Sequence, residues 1–319
     1  MKRLISIIVS LGILAILYSQ IDIAGLAGIF QNCDRQWMVI SLGMVIPITM
    51  ITAWRLQQLM PQGTRLRFAE ANRLILAASV LNMILPSKMG DIVKAYFMQQ
   101  RGHLKGSLSL SLVVFEKTCD LLSLLLWCVL GLIVYPEKDV LFWTMTIGVS
   151  LGWIVGLSLL GSRQLADYFF LLCRKIAPKK LGEKLKNLQI SWGEMHDYFW
   201  GDKTQLLKIS ATSVLIWFLH LLQIWFFILA LKAWTPFWAN LALSPLAILA
   251  GLLPLTFAGV GTRDTALVLL YQPYFGPTTA AALGLLCTSR YFLPAVGGLP
   301  FLGQYSTVRN PKRSTLSQD

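Results

Sequence analysis

Charge is scarce in this chain: only 13% of its 319 residues are Asp, Glu, Lys or Arg, against 55% that are hydrophobic. With a mean hydropathy of +0.62, that excludes an ordinary soluble domain and indicates a helical membrane protein. Acidic residues are the scarcer sign, 15 against 28 basic, for a net charge of +13. Most basic residues lie in connectors between apolar runs, where cytoplasmic loops accumulate them, so the excess reads as topology and nucleic acid is not an expected partner. Cysteine is sparse and unpatterned. Cys33, Cys119, Cys128, Cys173 and Cys287 show no CxxC spacing, which argues against a disulfide framework or a metal site. His103, His196 and His220 form no close cluster, and no metal or cofactor is expected. Nucleotide chemistry also lacks its signature: Gly-Val-Gly-Thr at 259–262 has neither the spacing nor the terminal Gly-Lys-Ser/Thr of a phosphate loop.

What the chain has is long apolar runs. Runs of this length at 108–135 and 210–231 are unlike the short alternating segments of an outer-membrane barrel. Residues 1–19 begin Lys2-Arg3 and fit either a first span or a signal peptide; the poor cleavage pattern and the spans that follow favour a retained anchor. Further spans are expected at 37–54, 108–135, 140–160, 210–231 and 278–305. Arg55, Arg65, Arg67 and Arg73 read as the cytoplasmic connector after the second. The basic connector at 161–208 is expected in the cytoplasm, its aromatic and lysine residues forming either a helix on anionic lipid or one packed under the bundle.

Two apolar runs, 74–85 and 241–253, are shorter than the roughly 20 residues needed to cross the hydrocarbon. Each is interrupted by Pro and Gly and followed by another short helix. Re-entrant hairpins at 74–100 and 241–275, opening from opposite faces, satisfy the charge bias. The expected fold is an all-α polytopic membrane bundle, a single domain over 1–319. It has about six full spans, an inverted repeat around the hairpins and both termini in the cytoplasm.

The interruptions carry the candidate chemistry. In Leu-Pro-Ser-Lys-Met-Gly-Asp at 85–91, Pro86 stops a helix, Gly90 permits a turn, and Asp91 can cap the next helix. Lys88 beside that helix start makes a phosphate-sized receptor; the alternative is that Asp91 is only a cap and Lys88 snorkels to headgroups. The second interruption has Pro254 and then Gly259 and Gly261 ahead of Arg263-Asp264, where Arg263 suits a phosphate and Asp264 can hold it. Glu116, Lys117 and Asp120 lie inside a span and need cationic partners, Lys88, Arg263 and Arg290 among them, or a hydrated path. They form either a structural ion-pair network or an ion-coupling site. Arg290 is a further buried cation, able to complete an anion site or pair with Asp264.

These stretches, with Ser-Leu-Ser-Leu-Val-Val-Phe-Glu-Lys-Thr-Cys-Asp at 109–120, resemble the family that includes the flippase domain of lysylphosphatidylglycerol synthase and stand-alone flippase-like proteins. The resemblance spans nearly the whole chain. The family often has Glu-Arg at the Glu116-Lys117 position and Arg-Glu at the Arg263-Asp264 position, so charge signs agree while geometry differs. Lysyl transfer is not expected, since only residues 306–319 follow Tyr305. The resemblance implies a non-enzymatic protein of the bacterial cytoplasmic (inner) membrane that moves phospholipids or polyprenyl-linked intermediates between leaflets. Its expected partners are anionic or phosphate-bearing lipids, coupled protons or ions, and a membrane enzyme. The rival is a subunit that binds a lipid and presents it to a glycosyltransferase or related enzyme.

Overall fold

The computed structural model describes residues 23–61, 66–84, 90–102, 104–135, 138–176, 179–252 and 261–306. These form fourteen helices: α1 (Ile23–Gln31), α2 (Arg35–Gly43), α3 (Val45–Leu59), α4 (Phe68–Ile84), α5 (Gly90–Gly102), α6 (Gly106–Val134), α7 (Val140–Gly161), α8 (Arg163–Ile176), α9 (Lys179–Gly201), α10 (Lys203–Ala230), α11 (Phe237–Leu252), α12 (Thr262–Tyr271), α13 (Pro277–Ser289) and α14 (Phe292–Ser306). The chain is an all-α polytopic membrane bundle. Among the described residues, five stretches are long and apolar enough to cross a membrane: Arg35–Leu59, Gly106–Val134, Phe142–Gly161, Lys203–Ala230 and Pro277–Leu302. The sixth expected span, at 1–19, lies outside the described residues.

Local chemistry starts several of these helices. Asp34 accepts from the backbone N–H groups of Gln36 at 2.9 Å and Trp37 at 3.2 Å. Asp139 caps α7 through Phe142 N at 2.8 Å, and Asp202 caps α10 through Gln205 N at 3.0 Å. Each carboxylate satisfies a donor that the first helical turn leaves unpaired. α10 therefore begins at Lys203, ahead of the apolar run at 210. α4 likewise begins at Phe68 and takes Glu70 and Arg73 into the helix. At 17 residues it is about 25 Å long, still short of a hydrocarbon core of about 30 Å.

Two apolar cores build the bundle. One joins Leu56, Leu74, Phe97, Leu112, Phe115 and Trp192; the other joins Leu124, Leu125, Phe227, Leu246, Leu267 and Leu283. Helix α6 serves both, giving Leu112 to Cys119 to the first and Leu124 to Cys128 to the second. Asp120 falls between these sets, so a polar layer lies at the seam of the two cores. Around it, α4 packs against α3, α5 and α14, while α11 packs against α6, α10 and α12. The two helices of each short pair, α4 with α5 and α11 with α12, are thus neighbours in space; their connections, 85–89 and 253–260, lie outside the described residues.

Exposed apolar side chains on α7, including Trp143, Ile147, Leu151 and Ile154, suit a helix whose solvent is lipid. In the basic connector, α9 packs under the bundle: Trp192, Met195 and Phe199 are buried, and the Phe199 ring stacks on Phe115 at 4.5 Å. α8 buries Ala166 and Phe170 but exposes Leu165, Tyr168, Leu172 and Ile176.

Glycine sets the closest helix approaches. A Cβ at Gly131 on α6 would stand 2.2 Å from the Ala242 carbonyl oxygen on α11, and one at Gly298 on α14 would stand 2.2 Å from the Leu76 carbonyl oxygen on α4. Small residues allow such contacts where the hydrophobic effect supplies little attraction between helices. Gly131→Ala is expected to destabilise the bundle by about 1–3 kcal/mol, read as a lower thermal midpoint in detergent. Gly148→Ala, with nothing within 4 Å of its added Cβ, does not lower that midpoint, since alanine is the better helix former.

Candidate functional site

The polar layer is built around Glu116, which α6 carries about 15 Å along its length. Its side chain is only 2% exposed, and Oε1 accepts from Arg55 Nη2 at 2.8 Å while Oε2 pairs with Lys94 Nζ. Arg55 also binds Asp120, with Nη2 to Oδ2 at 3.2 Å and Nη1 to Oδ1, and donates from Nη1 to Ser213 Oγ at 2.8 Å. Helices α3, α5, α6 and α10 are joined through these groups. Lys117, one residue on, approaches Asp91 Oδ2 at 3.3 Å and Asp120 Oδ2 at 3.7 Å. Asp91 therefore pairs across to α6, whatever the backbone of 85–89 offers it.

Two of these partners escaped the sequence reading. Arg55 was expected in a cytoplasmic connector, but α3 runs to Leu59 with Leu56 and Leu59 buried, which carries Arg55 into the interior at 2% exposure. The apolar residues after Arg55 were the available signal. Lys94 sits three residues after Asp91 and so shares its helix face; that spacing was visible but not singled out. Glu116 meets Arg55 and Lys94, not the expected Arg263 or Arg290.

The second charged group is at the start of α12. Arg263 donates to Asp264 Oδ1 from Nη2 at 2.6 Å and from Nε at 3.0 Å, and its Nη2 reaches the Gly284 carbonyl oxygen at 3.0 Å and Thr288 Oγ1 at 2.6 Å. Asp264 Oδ2 accepts from the backbone N–H of Gly261 at 3.1 Å, tying the helix start to the pair. Gly261 has φ of 99°, a conformation that L side chains rarely take. Gly284 gives Asp264 its room, since a Cβ there would meet Oδ1 at 2.7 Å. Arg290 is 4% exposed and donates from Nη2 to Tyr291 Oη at 3.2 Å. Among the described residues, its Nε and Nη1 have no hydrogen-bond partner.

Both groups line one cavity of about 480 Å³. Arg55, Asp91, Lys94, Glu116, Lys117 and Asp120 of the first group line it together with Arg263, Thr288 and Tyr291 of the second. Ile48, Ile75, Met83, Ile216 and Phe292 supply apolar wall, and Asn82, Ser79 and His220 further polar groups. Arg290 does not line the cavity but touches its wall through Tyr291. Gly90 sits against α4, where a Cβ would stand 2.4 Å from the Ala78 carbonyl oxygen. Pro86, Lys88, Pro254 and Gly259 lie outside the described residues. Among the described residues, no three His, Cys, Asp or Glu side chains are grouped to hold a metal ion.

A cavity with cations and carboxylates inside an apolar bundle invites comparison with known membrane proteins. The family model described as the lysylphosphatidylglycerol synthase TM region matches residues 3–298. The chain belongs to that family. It is also 21% identical over 312 residues to a UPF0104 membrane protein of Methanocaldococcus jannaschii, covering 93% of each chain. No solved structure matches. Family membership agrees with the multi-pass membrane fold and with lipid as its medium, while the cavity shows where this member concentrates charge.

Burying Glu116 is tolerable only because both oxygens meet cations. Glu116→Gln leaves Arg55 and Lys94 confined with less compensation, and is expected to cost about 3–5 kcal/mol of stability. Thermal unfolding in detergent checks this, and adding Lys94→Met to Glu116→Gln is expected to restore part of the loss.

Proposed function

We propose that the protein translocates a phosphate-bearing lipid, a phospholipid or a polyprenyl-linked intermediate, between leaflets of the bacterial cytoplasmic membrane. The observation that carries this reading is the cavity: four cations, Arg55, Lys94, Lys117 and Arg263, line it beside apolar wall, as an amphiphile with an anionic headgroup requires. A phosphate loses much of its hydration inside the bilayer, and fixed cations offset that cost. Arg263 and Lys88 act on the headgroup directly and Arg290 through Tyr291, while Asp91, Glu116, Lys117, Asp120 and Asp264 form the network that orients these groups and serves proton or ion coupling. No covalent bond is made or broken.

In this reading residues 74–100 and 241–275 are re-entrant hairpins of an inverted repeat, opening from opposite faces, with both termini cytoplasmic. Rocking about Pro86, Gly90, Pro254, Gly259 and Gly261 exposes the cavity to one leaflet and then the other. The packing of α4 against α5 and of α11 against α12 supports the pairing of the short helices. A second reading is favoured by how fully Arg263 is engaged, with Asp264, Gly284 and Thr288 all accepting from it. In that reading the site holds a lipid firmly and presents it to a membrane enzyme without moving it.

Leaflet exchange in proteoliposomes separates the two. Phosphatidylglycerol and a polyprenyl phosphate, each fluorescently labelled, are compared for the wild type, Arg263→Ala and Lys94→Ala. Translocation predicts exchange of one of these lipids by the wild type and a drop of about tenfold or more in both variants, Arg263→Ala losing a headgroup contact and Lys94→Ala the pairing that orients the charge network. Saturable binding with no exchange of either lipid supports the presenting subunit and rejects translocation.

A further inference from the structure

The cations lining the cavity are not equally available. Arg55, Lys94 and Arg263 have side chains 2%, 2% and 6% exposed, each in a close pair with a buried carboxylate. Lys117 differs on both counts: its side chain is 47% exposed, and its ion-pair distances are 3.3 Å to Asp91 and 3.7 Å to Asp120. Because Lys117 lines the cavity, that exposure faces the space a headgroup would occupy. Lys117 is thus held less closely than the other three cations, and a lysine ammonium on a four-carbon stem can change partners without moving the backbone.

Its two carboxylates are not equivalent. Asp120 also holds Arg55, so it keeps a cation if Lys117 turns elsewhere. Lys94, on the same helix face as Asp91, is committed to Glu116. Among the described residues, Lys117 is the cation within ion-pair distance of Asp91.

We propose that Lys117 is the cation that takes the phosphate of the bound ligand, and that Asp91 is a built-in anion competing with that phosphate for the same ammonium. This assignment rests on the lipid-translocation reading and deepens it: Lys117, a member of the charge network, also makes the exchangeable contact with the headgroup beside Arg263. The competition keeps affinity moderate, which a carrier needs in order to release its cargo. It also reverses the usual effect of deleting a partner in a charge network: neutralising Asp91 strengthens ligand binding.

The test titrates full-length protein in detergent by calorimetry, with dihexanoyl phosphatidylglycerol and inorganic phosphate as separate probes. Asp91→Asn is expected to tighten lipid binding by about three- to tenfold. Lys117→Gln is expected to weaken it by about tenfold or more, and Lys117→Arg, which keeps the charge, to stay near wild type. Equal or weaker binding by Asp91→Asn overturns the competition, and wild-type affinity in Lys117→Gln overturns the role of Lys117; both results leave lipid binding intact. If Lys117→Gln fails to fold, Asp91→Asn decides, because Lys117 keeps Asp120 there. Absence of lipid binding by the wild type, or inorganic phosphate binding as tightly as the lipid, overturns the translocation reading itself.

Discussion

The rest of the structure depends on how one carboxylate is kept charged inside a lipid-solvated bundle. Glu116 is held between Arg55 and Lys94, and each of these groups would be costly to bury without the others. Satisfying them holds α5 against α6 and links α3 to it through the Arg55 side chain, and Ser213 on α10 completes the shell of Arg55. The cavity lies beside this arrangement, so its shape follows from an electrostatic requirement as much as from packing. Arg263 and Asp264 impose the same requirement across the cavity, with Gly261 and Gly284 giving the pair its clearance.

Packing has to permit what the charges demand. In lipid, helices gain little from hydrophobic burial against one another, and close contact has to come from shape. Gly90, Gly131 and Gly298 let backbones meet where any side chain would collide. A separate polar knot, in which Asn240 Oδ1 accepts from Ser244 and Tyr271 while Asn240 Nδ2 donates to the Leu221 carbonyl oxygen, ties α10, α11 and α12 together. The two apolar cores share α6 and α10, and a movement of one core against the other would be felt in the polar layer between them.

Much of this was legible in the residues. Apolar run length marked five of the stretches that the described helices fill, because crossing a bilayer sets a minimum length that few soluble helices share. Asp264 beside Arg263, and Lys117 three residues before Asp120, were readable because both pairs are local. Arg55 was not: a basic residue after Trp54 looks like the cytoplasmic end of a span, and only the continuation of α3 through Leu59 brings it inside. Lys94 is hard to read for a related reason: its spacing from Asp91 places it on the same helix face, but its partner Glu116 lies on another helix.

The sequence by itself determined the all-helical membrane class through composition and run length, the family through the resemblance of its motifs, and part of the charge at depth, Glu116, Lys117, Asp120, Arg263 and Asp264, through near-neighbour spacing. Only the tertiary structure decided which charges meet. Glu116 and its partners Arg55 and Lys94 are 61 and 22 residues apart in the chain, and the bond between them depends on how helices cross. The same is true of availability: Lys94 and Lys117 both line the cavity, but Lys94 is buried in its pair with Glu116 while Lys117 stays partly exposed. Run length and local charge are properties of the chain; pairing and exposure are properties of the packed bundle.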